Sequence, residues 1–336
     1  MTPKKPPEHE RSHGSDTAVI VTAAVPLPAI EHAAERARSY SANAKAASTR
    51  QAYGADWRHF SAWCARARVT SLPATPETVA LYLAELAATH KTATIARRMA
   101  AIAAAHKARG LEPPTSMRYG AVASVWQGIK RTNGRAQNAK APVLLADLRA
   151  MVQHLRPGRI GIRDHALLLV GFAGAFRRSE LVALSFEDAE FTSDGVVINL
   201  RRSKTDQEAE GRKIGIPYGS NPETCPVRAL KAWIETARIT SGRLFRSVTR
   251  HGKIGSGMSG YAVALMVKRY ADAAGLNCAA YSGHSLRAGL ATSAAIAGAS
   301  ERSIMNQTGH KSTAMVRRYI RDASLFRENA AAKVGL

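Results

Sequence analysis

Residues 171–181 read GFAGAFRRSEL, an apolar run that leads directly into two arginines and a glutamate. The apolar part is typical of a buried helix, so the charged residues after it are expected at the edge of a hydrophobic core. Further along the chain, residues 283–287 read GHSLR and residues 309–319 read GHKSTAMVRRY. Arginine, histidine and tyrosine in these positions suit chemistry on an anion, and we therefore place the chemistry in the second half of the chain.

The charge balance indicates the kind of partner. The chain has 336 residues, with 48 lysines and arginines against 25 acidic residues and a net charge of +23. Such an excess favours a polyanion, and nucleic acid is the commonest one. A membrane surface is the alternative, but no basic amphipathic helix stands apart from the rest of the sequence.

Two further features limit the class of protein. The apolar run 17–30 is too short to span a bilayer, and acidic residues before it make it a poor signal peptide, so we expect no membrane association. The three cysteines are far apart in sequence and suggest neither a disulfide framework nor a metal site. Both features fit a cytoplasmic protein.

A chain of this length usually forms more than one core, and its patterning predicts two domains. Residues 1–38 are rich in proline, serine and charge and are predicted to be a disordered tail, followed by a helical DNA-binding domain over 39–131. The stretch TNGRAQNAKAP, residues 132–142, lacks periodicity and is interpreted as a linker. The second domain then covers 143–336.

The predicted fold is mainly α-helical, with four helices in the first domain and a mixed α/β second domain that holds a small three-stranded antiparallel sheet. Apolar spacing from Tyr53 to Cys64 predicts the first helix, and Thr75 followed by Pro76 predicts the start of the second. The other two helices are predicted around Ile95–His106 and Ser116–Lys130. The three strands are predicted over 186–191, 196–202 and 212–217. Further helices are predicted near 144–155, 164–176, 226–237, 259–274, 285–298, 300–308 and 312–320.

Basic residues are distributed unevenly. Residues 91–140 contain ten lysines and arginines and a single acid, Glu112, which favours a surface that faces DNA over an ordinary solvated face. The residues predicted to contact DNA are Arg97, Arg98, Lys107, Lys130, Arg131, Arg201 and Arg202.

Four motifs of the second half occur in a fixed order. They are an arginine followed by xxE, a lysine in a hairpin loop, HxxR, and GH nine residues before a tyrosine. This set resembles the tyrosine recombinase, or phage integrase, family over residues 143 to about 322, and the first domain resembles that family's core-binding domain only in kind. The residues that match the motifs are Arg177, Glu180, Lys204, His284, Arg287, His310 and Tyr319.

The resemblance implies a role for each of these residues. Tyr319 would be the nucleophile, and Arg177 and Arg287 would bind the scissile phosphate. Lys204 and His284 would transfer protons. His310 would hydrogen-bond a phosphate oxygen, and Glu180 would support the site from behind.

The chemistry of these residue types fits those roles. Two planar guanidiniums that keep their charge match the negative charge that builds up on a phosphate during in-line attack. Lysine can donate a proton because its pKa falls among other cations. A phosphotyrosine intermediate stores the energy of the cleaved bond, so the resemblance implies that rejoining needs no nucleotide, no metal and no other cofactor.

Some interpretations stay open at this stage. Taken alone, Lys204 could be a loop lysine that touches only backbone phosphate, and Tyr319 could be a core residue of its helix.

The resemblance implies a double-stranded recombination site as partner, a homotetramer on paired sites, and a bacterial or phage protein associated with the nucleoid. A type IB topoisomerase or a catalytically inactive DNA-binding protein are the alternatives. The target sequence and the biological outcome, whether integration, excision, resolution or transposition, are not encoded in these motifs.

Overall fold

Two separate hydrophobic cores divide the chain into two units, residues 1–137 and residues 138–336. The computed structural model describes residues 27–134, 140–201, 211–324 and 334. The boundary between the units falls inside the stretch 132–142 that the sequence suggests as a linker. None of the helices within the described ranges is long and apolar enough to cross a lipid bilayer.

The first unit contains only helices within its described residues. They are α1 (Leu27–Asn43), α2 (Ala47–Ala67), α3 (Pro76–Ala87), α4 (Thr92–Lys107) and α5 (Gly120–Thr132). Helix α2 packs against α4, and α3 packs against α5, around a core centred on Phe60, Tyr82 and Ile102. The Thr75 hydroxyl accepts a hydrogen bond from the Thr78 N–H, which confirms the predicted cap of α3. Helices α2–α5 correspond to the four predicted helices, although α5 begins four residues later than expected.

Helix α1 was not predicted. It covers residues 27–38 of the segment expected to be disordered, so that prediction is wrong for those residues. The side chains of residues 30–40 are all exposed, which explains why no apolar stripe marked the helix in the sequence. Its alanines, glutamates and arginines are strong helix formers, and they favour a helix without a core to pack against. Residues 1–26 lie outside the described residues.

The second unit is built around a buried helix. Its helices are α6 (Leu145–Gln153), α7 (Gly158–Ala173), α8 (Arg178–Ala183), α9 (Pro226–Ala237), α10 (Gly260–Ala273), α11 (Ser285–Ile296), α12 (Glu301–Thr308) and α13 (Thr313–Ser324). Helix α7 is buried along most of its length and packs against α9 and α11. Because α7 ends just before Arg177, the core of this unit fixes the position of that arginine.

Three short strands form one antiparallel sheet in the order β1 (Ala189–Phe191), β2 (Gly195–Leu200) and β3 (Arg212–Pro217). Ile198 pairs with Ile214, and both side chains are buried on the core face. The strand expected over 186–191 is shorter, because residues 186–188 form a turn in which the Asp188 carboxylate accepts the Ser185 N–H. The loop between β2 and β3, residues 202–210, lies outside the described residues.

The chain enters the second unit along the backbone of α11. The N–H of Val143 donates to the Ser285 carbonyl over 2.9 Å, and the N–H of Ala141 donates to the Ala280 carbonyl over 2.9 Å. A Cβ at Gly289 would lie 1.9 Å from the Val143 oxygen, so only glycine allows this approach. Residues 141–143 are therefore part of the second unit and not of a linker.

A buried arginine ties the helices of the first unit together. Arg98 is 8% exposed, and its Nη1 donates to the Tyr82 hydroxyl over 3.1 Å while its Nη2 lies 3.2 Å from His90 Nε2. Its neighbour Arg97 forms two hydrogen bonds with the buried Asp56, at 2.7 and 3.0 Å. The interpretation of Arg98 as a DNA-facing surface residue is corrected by this burial, since both of its Nη atoms contact side chains of the same unit.

We predict that Arg98→Ala lowers the free energy of unfolding of the first unit by about 3 kcal/mol, because it leaves buried polar partners unsatisfied. Arg109→Ala, which removes an exposed arginine that follows the same helix, should change it by less than about 0.5 kcal/mol. Urea unfolding of the full chain followed by tryptophan fluorescence measures the difference, because Trp57, Trp63 and Trp126 all lie in this unit. Equal midpoints for the two variants would contradict the structural role of Arg98.

Candidate active site

Arg177 is held by the glutamate three residues after it. It occupies the N-cap position of α8, where the Glu180 carboxylate accepts its backbone N–H over 2.9 Å and its Nη1 over 2.6 Å. Glu180 is 4% exposed. One buried carboxylate thus holds both the backbone and the guanidinium of Arg177. This contact is consistent with the supporting role that the resemblance implies for Glu180.

A tight turn between α7 and α8 links this arginine to the second one. Ala175 has a positive φ of 48°, a conformation that non-glycine residues rarely adopt, and its carbonyl points at Arg287. Arg287 Nη1 donates to that carbonyl over 2.7 Å. The turn that presents Arg177 therefore also supplies an acceptor for Arg287.

Arg287 lies on α11 with only 1% of its surface exposed. Its Nη2 contacts His310 Nε2 at 3.1 Å, and its Nε has no hydrogen-bond acceptor among the residues that the structure describes. Burial, together with the nearby Arg177 and Arg212, lowers the pKa of Arg287 to about 10, although Glu180 opposes the shift. The side chain still carries its charge at neutral pH, and a buried cation with an unused donor suits an anionic ligand.

The contacts of His310 define its protonation state. Arginine can only donate, so the bond from Arg287 makes Nε2 an acceptor. The Thr308 hydroxyl donates to the Ile304 carbonyl over 2.6 Å, so the 2.7 Å contact between Thr308 Oγ1 and His310 Nδ1 must be donated by the ring. Both contacts agree on a neutral imidazole with its proton on Nδ1. Burial, with Arg287 and Arg177 as further causes, lowers the pKa of His310 to about 4.

Tyr319 lies against this histidine. Its ring centroid is 5.9 Å from that of His310, and the half-buried side chain packs beside Ile304 and Val316. Helix α13, which carries the tyrosine, is joined to the start of α12 by an ion pair of 2.8 Å between Arg317 and Glu301. Tyr319 therefore faces the cationic group and is also in contact with a small core.

His284 stands at the exposed edge of the site. It is the N-cap residue of α11, three residues before Arg287. Desolvation and the charges of Arg287 and Arg177 lower its pKa. The ring is thus predominantly neutral near pH 7 and able to accept a proton.

The structure brings together six of the seven residues that match the motifs. Arg177 contacts Glu180, Arg287 contacts His310, His310 contacts Tyr319, and His284 is close enough to both arginines to be affected by their charge. Lys204 lies outside the described residues, as does Arg202. Arg201 is exposed and forms a 2.6 Å ion pair with Asp188.

Two residues of this site were not predicted from the sequence. Thr308 sets the tautomer of His310, and Arg212 donates hydrogen bonds to the carbonyls at the end of α12. Thr308 stands two residues before the histidine, and this spacing alone does not predict a contact. The contact depends on α12 ending at Thr308. Arg212 lies about 100 residues earlier in sequence, and no local pattern indicates it.

The basic residues predicted to contact DNA in the first unit differ in their surroundings. Lys107 and Arg131 are exposed. Lys130 is half-buried, with its Nζ 5.6 Å from the centroid of the Trp126 ring. Arg97 is half-exposed but paired with Asp56. Of these four residues, Lys107 and Arg131 are the exposed ones for which the structure shows no ion pair among its described residues.

Comparison with known proteins identifies the group to which this chain belongs. The model of the phage integrase family matches residues 144–325. The integrase/recombinase XerD homolog of Selenomonas ruminantium is 44% identical over 289 residues, which cover 85% of both chains.

Solved structures share the fold at low identity. The XerH site-specific recombinase in a post-cleavage complex with a palindromic difH substrate gives a TM-score of 0.59 at 16% identity, over 77% of this chain and 72% of that one. The Tn1549 transposon integrase in complex with circular intermediate DNA gives 0.52 at 18% identity, over 77% and 84%. Because the family model covers more than half of the sequence and the XerD homolog most of it, the chain belongs to the phage integrase family and is a tyrosine recombinase, an enzyme of site-specific DNA recombination.

Proposed function

We propose that Tyr319 cleaves one strand of a duplex recombination site. Its hydroxyl oxygen attacks the scissile phosphorus, the bond from phosphorus to the 5′ oxygen breaks, and a 3′-phosphotyrosyl bond forms. The observation that carries this assignment is the buried Arg287, whose Nε has no acceptor within the described residues and whose Nη2 contacts the histidine against which the tyrosine packs. An oxyanion there would complete the hydrogen bonding of the arginine.

The remaining residues bind the charged phosphate oxygens or transfer protons. Arg177 and Arg287 bind the non-bridging oxygens. His284, with its lowered pKa, accepts the proton of the tyrosine. Lys204 donates a proton to the departing 5′ oxygen, a role that rests on the sequence motif. Strand joining reverses these steps, because the 5′ hydroxyl of the partner strand attacks the phosphotyrosine.

His310 must change its hydrogen bonds when phosphate binds. In the DNA-free arrangement its Nε2 accepts from Arg287 and cannot donate to an oxyanion. A bound phosphate adds negative charge next to the ring and raises its pKa, so that Nε2 gains a proton and donates to a phosphate oxygen while Arg287 turns to another. His310 is therefore neutral in the DNA-free protein, and its Nε2 becomes a hydrogen-bond donor only when phosphate is bound.

The proposed substrate is duplex DNA, and the proposed assembly is four copies on two paired sites. Support for the substrate comes from the solved neighbours, which are described as bound to difH substrate and to circular intermediate DNA. Exposed Lys107 and Arg131 supply cations for the backbone, and we place the reaction in the cytoplasm of a bacterium, without cofactor. Neither the described residues of the site nor the similar proteins reported above favour relaxation by a topoisomerase or binding without cleavage.

The first prediction concerns the covalent intermediate. With a suicide substrate that is nicked near the cleavage site, the wild-type chain should form an SDS-stable adduct in EDTA and without nucleotide. Tyr319→Phe should form none, because it lacks the attacking oxygen, yet its Kd for DNA should stay within about twofold of the wild-type value. An undiminished adduct in that variant would remove Tyr319 from this role, and a strict Mg²⁺ requirement would contradict the metal-free mechanism.

The second prediction separates transition-state binding from affinity. Arg177→Ala and Arg287→Lys should lower the single-turnover cleavage rate at saturating DNA by roughly a hundredfold, as expected for a lost or misplaced transition-state donor. Lys107→Ala and Arg131→Ala should leave that rate unchanged, and each should reduce the slope of log affinity against log salt by about one unit. If Arg287→Lys bound weakly but cleaved normally at saturation, the arginine would act in binding alone.

The third prediction concerns the protonation of His310. In ¹⁵N NMR of the DNA-free protein, its imidazole should be neutral with the proton on Nδ1 and should titrate with a pKa of about 4. The pKa lies below its ordinary value, so the ring stays neutral as the pH falls from 8 to 5. Uncleaved DNA bound to Tyr319→Phe should raise this pKa. His310→Gln assigns the signals, and a midpoint near 6.5 in the free protein would contradict the buried neutral state.

A further inference from the structure

Arg212, the first residue of β3, is directed at the end of helix α12. Its Nη1 donates to the carbonyls of Asn306 and Gln307 over 3.2 and 3.0 Å, and its Nη2 donates to the carbonyl of Thr308 over 3.4 Å. These are the last carbonyls of the helix, which have no partner within it. One side chain from the sheet therefore caps the helix that leads into His310.

The turn after the helix closes tightly onto this guanidinium. Gly309 has a positive φ of 65° and ends α12, and its N–H donates to the Met305 carbonyl over 2.7 Å. A Cβ at Gly309 would lie 2.8 Å from Cζ and Nε of Arg212. The residue directly before His310 is thus packed against Arg212, so a movement of either displaces the other.

The charges around Arg212 explain why it serves the protein and not the phosphate. Burial lowers its pKa, Arg177 lowers it further, and Glu180 opposes the shift. A third arginine beside Arg177 and Arg287 is costly unless negative charge meets it. The negative end of the α12 dipole and its three carbonyls supply that charge, and the same carbonyls accept hydrogen bonds from both Nη atoms of Arg212.

We propose that Arg212 is a positioning residue for strand cleavage, which holds the end of α12 so that His310 Nε2 faces Arg287 and the ring meets Tyr319. The proposal rests on the function proposed above. Arg212 acts through His310, and it does not itself touch DNA.

The neighbouring lysine provides a matched control. Lys213 is on the same strand, loses the same charge when replaced by alanine, and is exposed on the face opposite to Arg212. The test compares Arg212→Ala, Arg212→Lys and Lys213→Ala in the full-length chain. Each is measured for single-turnover cleavage of the suicide substrate at saturating DNA, for affinity against salt, and for the ¹⁵N signals of His310.

Arg212→Ala should cleave about ten- to a hundredfold more slowly, as expected when a reacting group shifts by about 1 Å. Its affinity and salt slope should stay at the wild-type values, and the pKa of His310 should rise because a nearby positive charge is lost. Arg212→Lys keeps the charge but cannot reach all three carbonyls, so its rate should fall between those of Arg212→Ala and the wild type. Lys213→Ala should cleave at the wild-type rate.

Two outcomes would overturn the proposal. If Arg212→Ala cleaves normally at saturation while melting at a lower temperature, the residue is only structural. If its salt slope falls by about one unit, Arg212 is a phosphate contact. Where Arg212→Ala does not fold, Arg212→Lys decides, and a wild-type rate with wild-type His310 signals would count against the proposal.

Gly309→Ala tests the same contact from the other side. Alone, it should slow cleavage, because its methyl group meets Arg212 and because an alanine is strained at a φ of 65°. Combined with Arg212→Lys, the two losses should be less than multiplicative, since both act on one turn. Multiplicative losses would show that the residues act separately. Adduct formation by the wild type and its loss in Tyr319→Phe, run alongside, report on the proposed function independently of Arg212.

Discussion

The second unit depends on keeping several arginines close together with little solvent. Arg287 is almost fully buried, Arg177 is largely so, and Arg212 lies near both. Like charges at such distances repel one another, and the repulsion grows as water is excluded. Among the residues that the structure describes, the Glu180 carboxylate and backbone carbonyls offset part of this repulsion. In the proposed mechanism, the positive charge that remains is what attracts the scissile phosphate.

This constraint also explains the state of His310. A protonated imidazole would add another cation to the group, and the low pKa follows directly from the burial and from the arginines around the ring. The oxygen of Thr308 accepts a hydrogen bond from the ring Nδ1–H, so Nε2 is left as the acceptor for Arg287. The DNA-free protein thus keeps its arginines charged and His310 neutral.

The sequence predicted most of the fold, but little of how the charges of the arginines and of His310 are arranged. Helices with clear N-terminal signals, such as α3 after Thr75 and α9 at Pro226, begin where the sequence predicts because the local signals are strong. Helix α1 was missed because its side chains at residues 30–40 are all exposed, so that no apolar stripe marks it. Arg98 was interpreted as a surface residue, because its burial depends on partners such as Tyr82 that are distant in sequence. Motif order indicated the residues that meet around Arg287, whereas the part played by Arg212 needs the tertiary contact between a strand and a helix end.

The segment at residues 141–143 has a practical consequence. Val143 lies so close to the backbone of α11 that Gly289 leaves no room between them, and its N–H satisfies the carbonyl of Ser285 at the start of that helix. A fragment of the second unit made by cloning or by limited proteolysis must therefore include residues 141–143, although a boundary at the end of the linker that the sequence suggests would remove two of them. A fragment that begins at Leu144 would expose the groove beside Gly289 and free the first turn of the helix that carries Arg287. The N-terminal boundary of the second unit is thus set by residues 141–143, which lie against α11 and contain none of the candidate site residues.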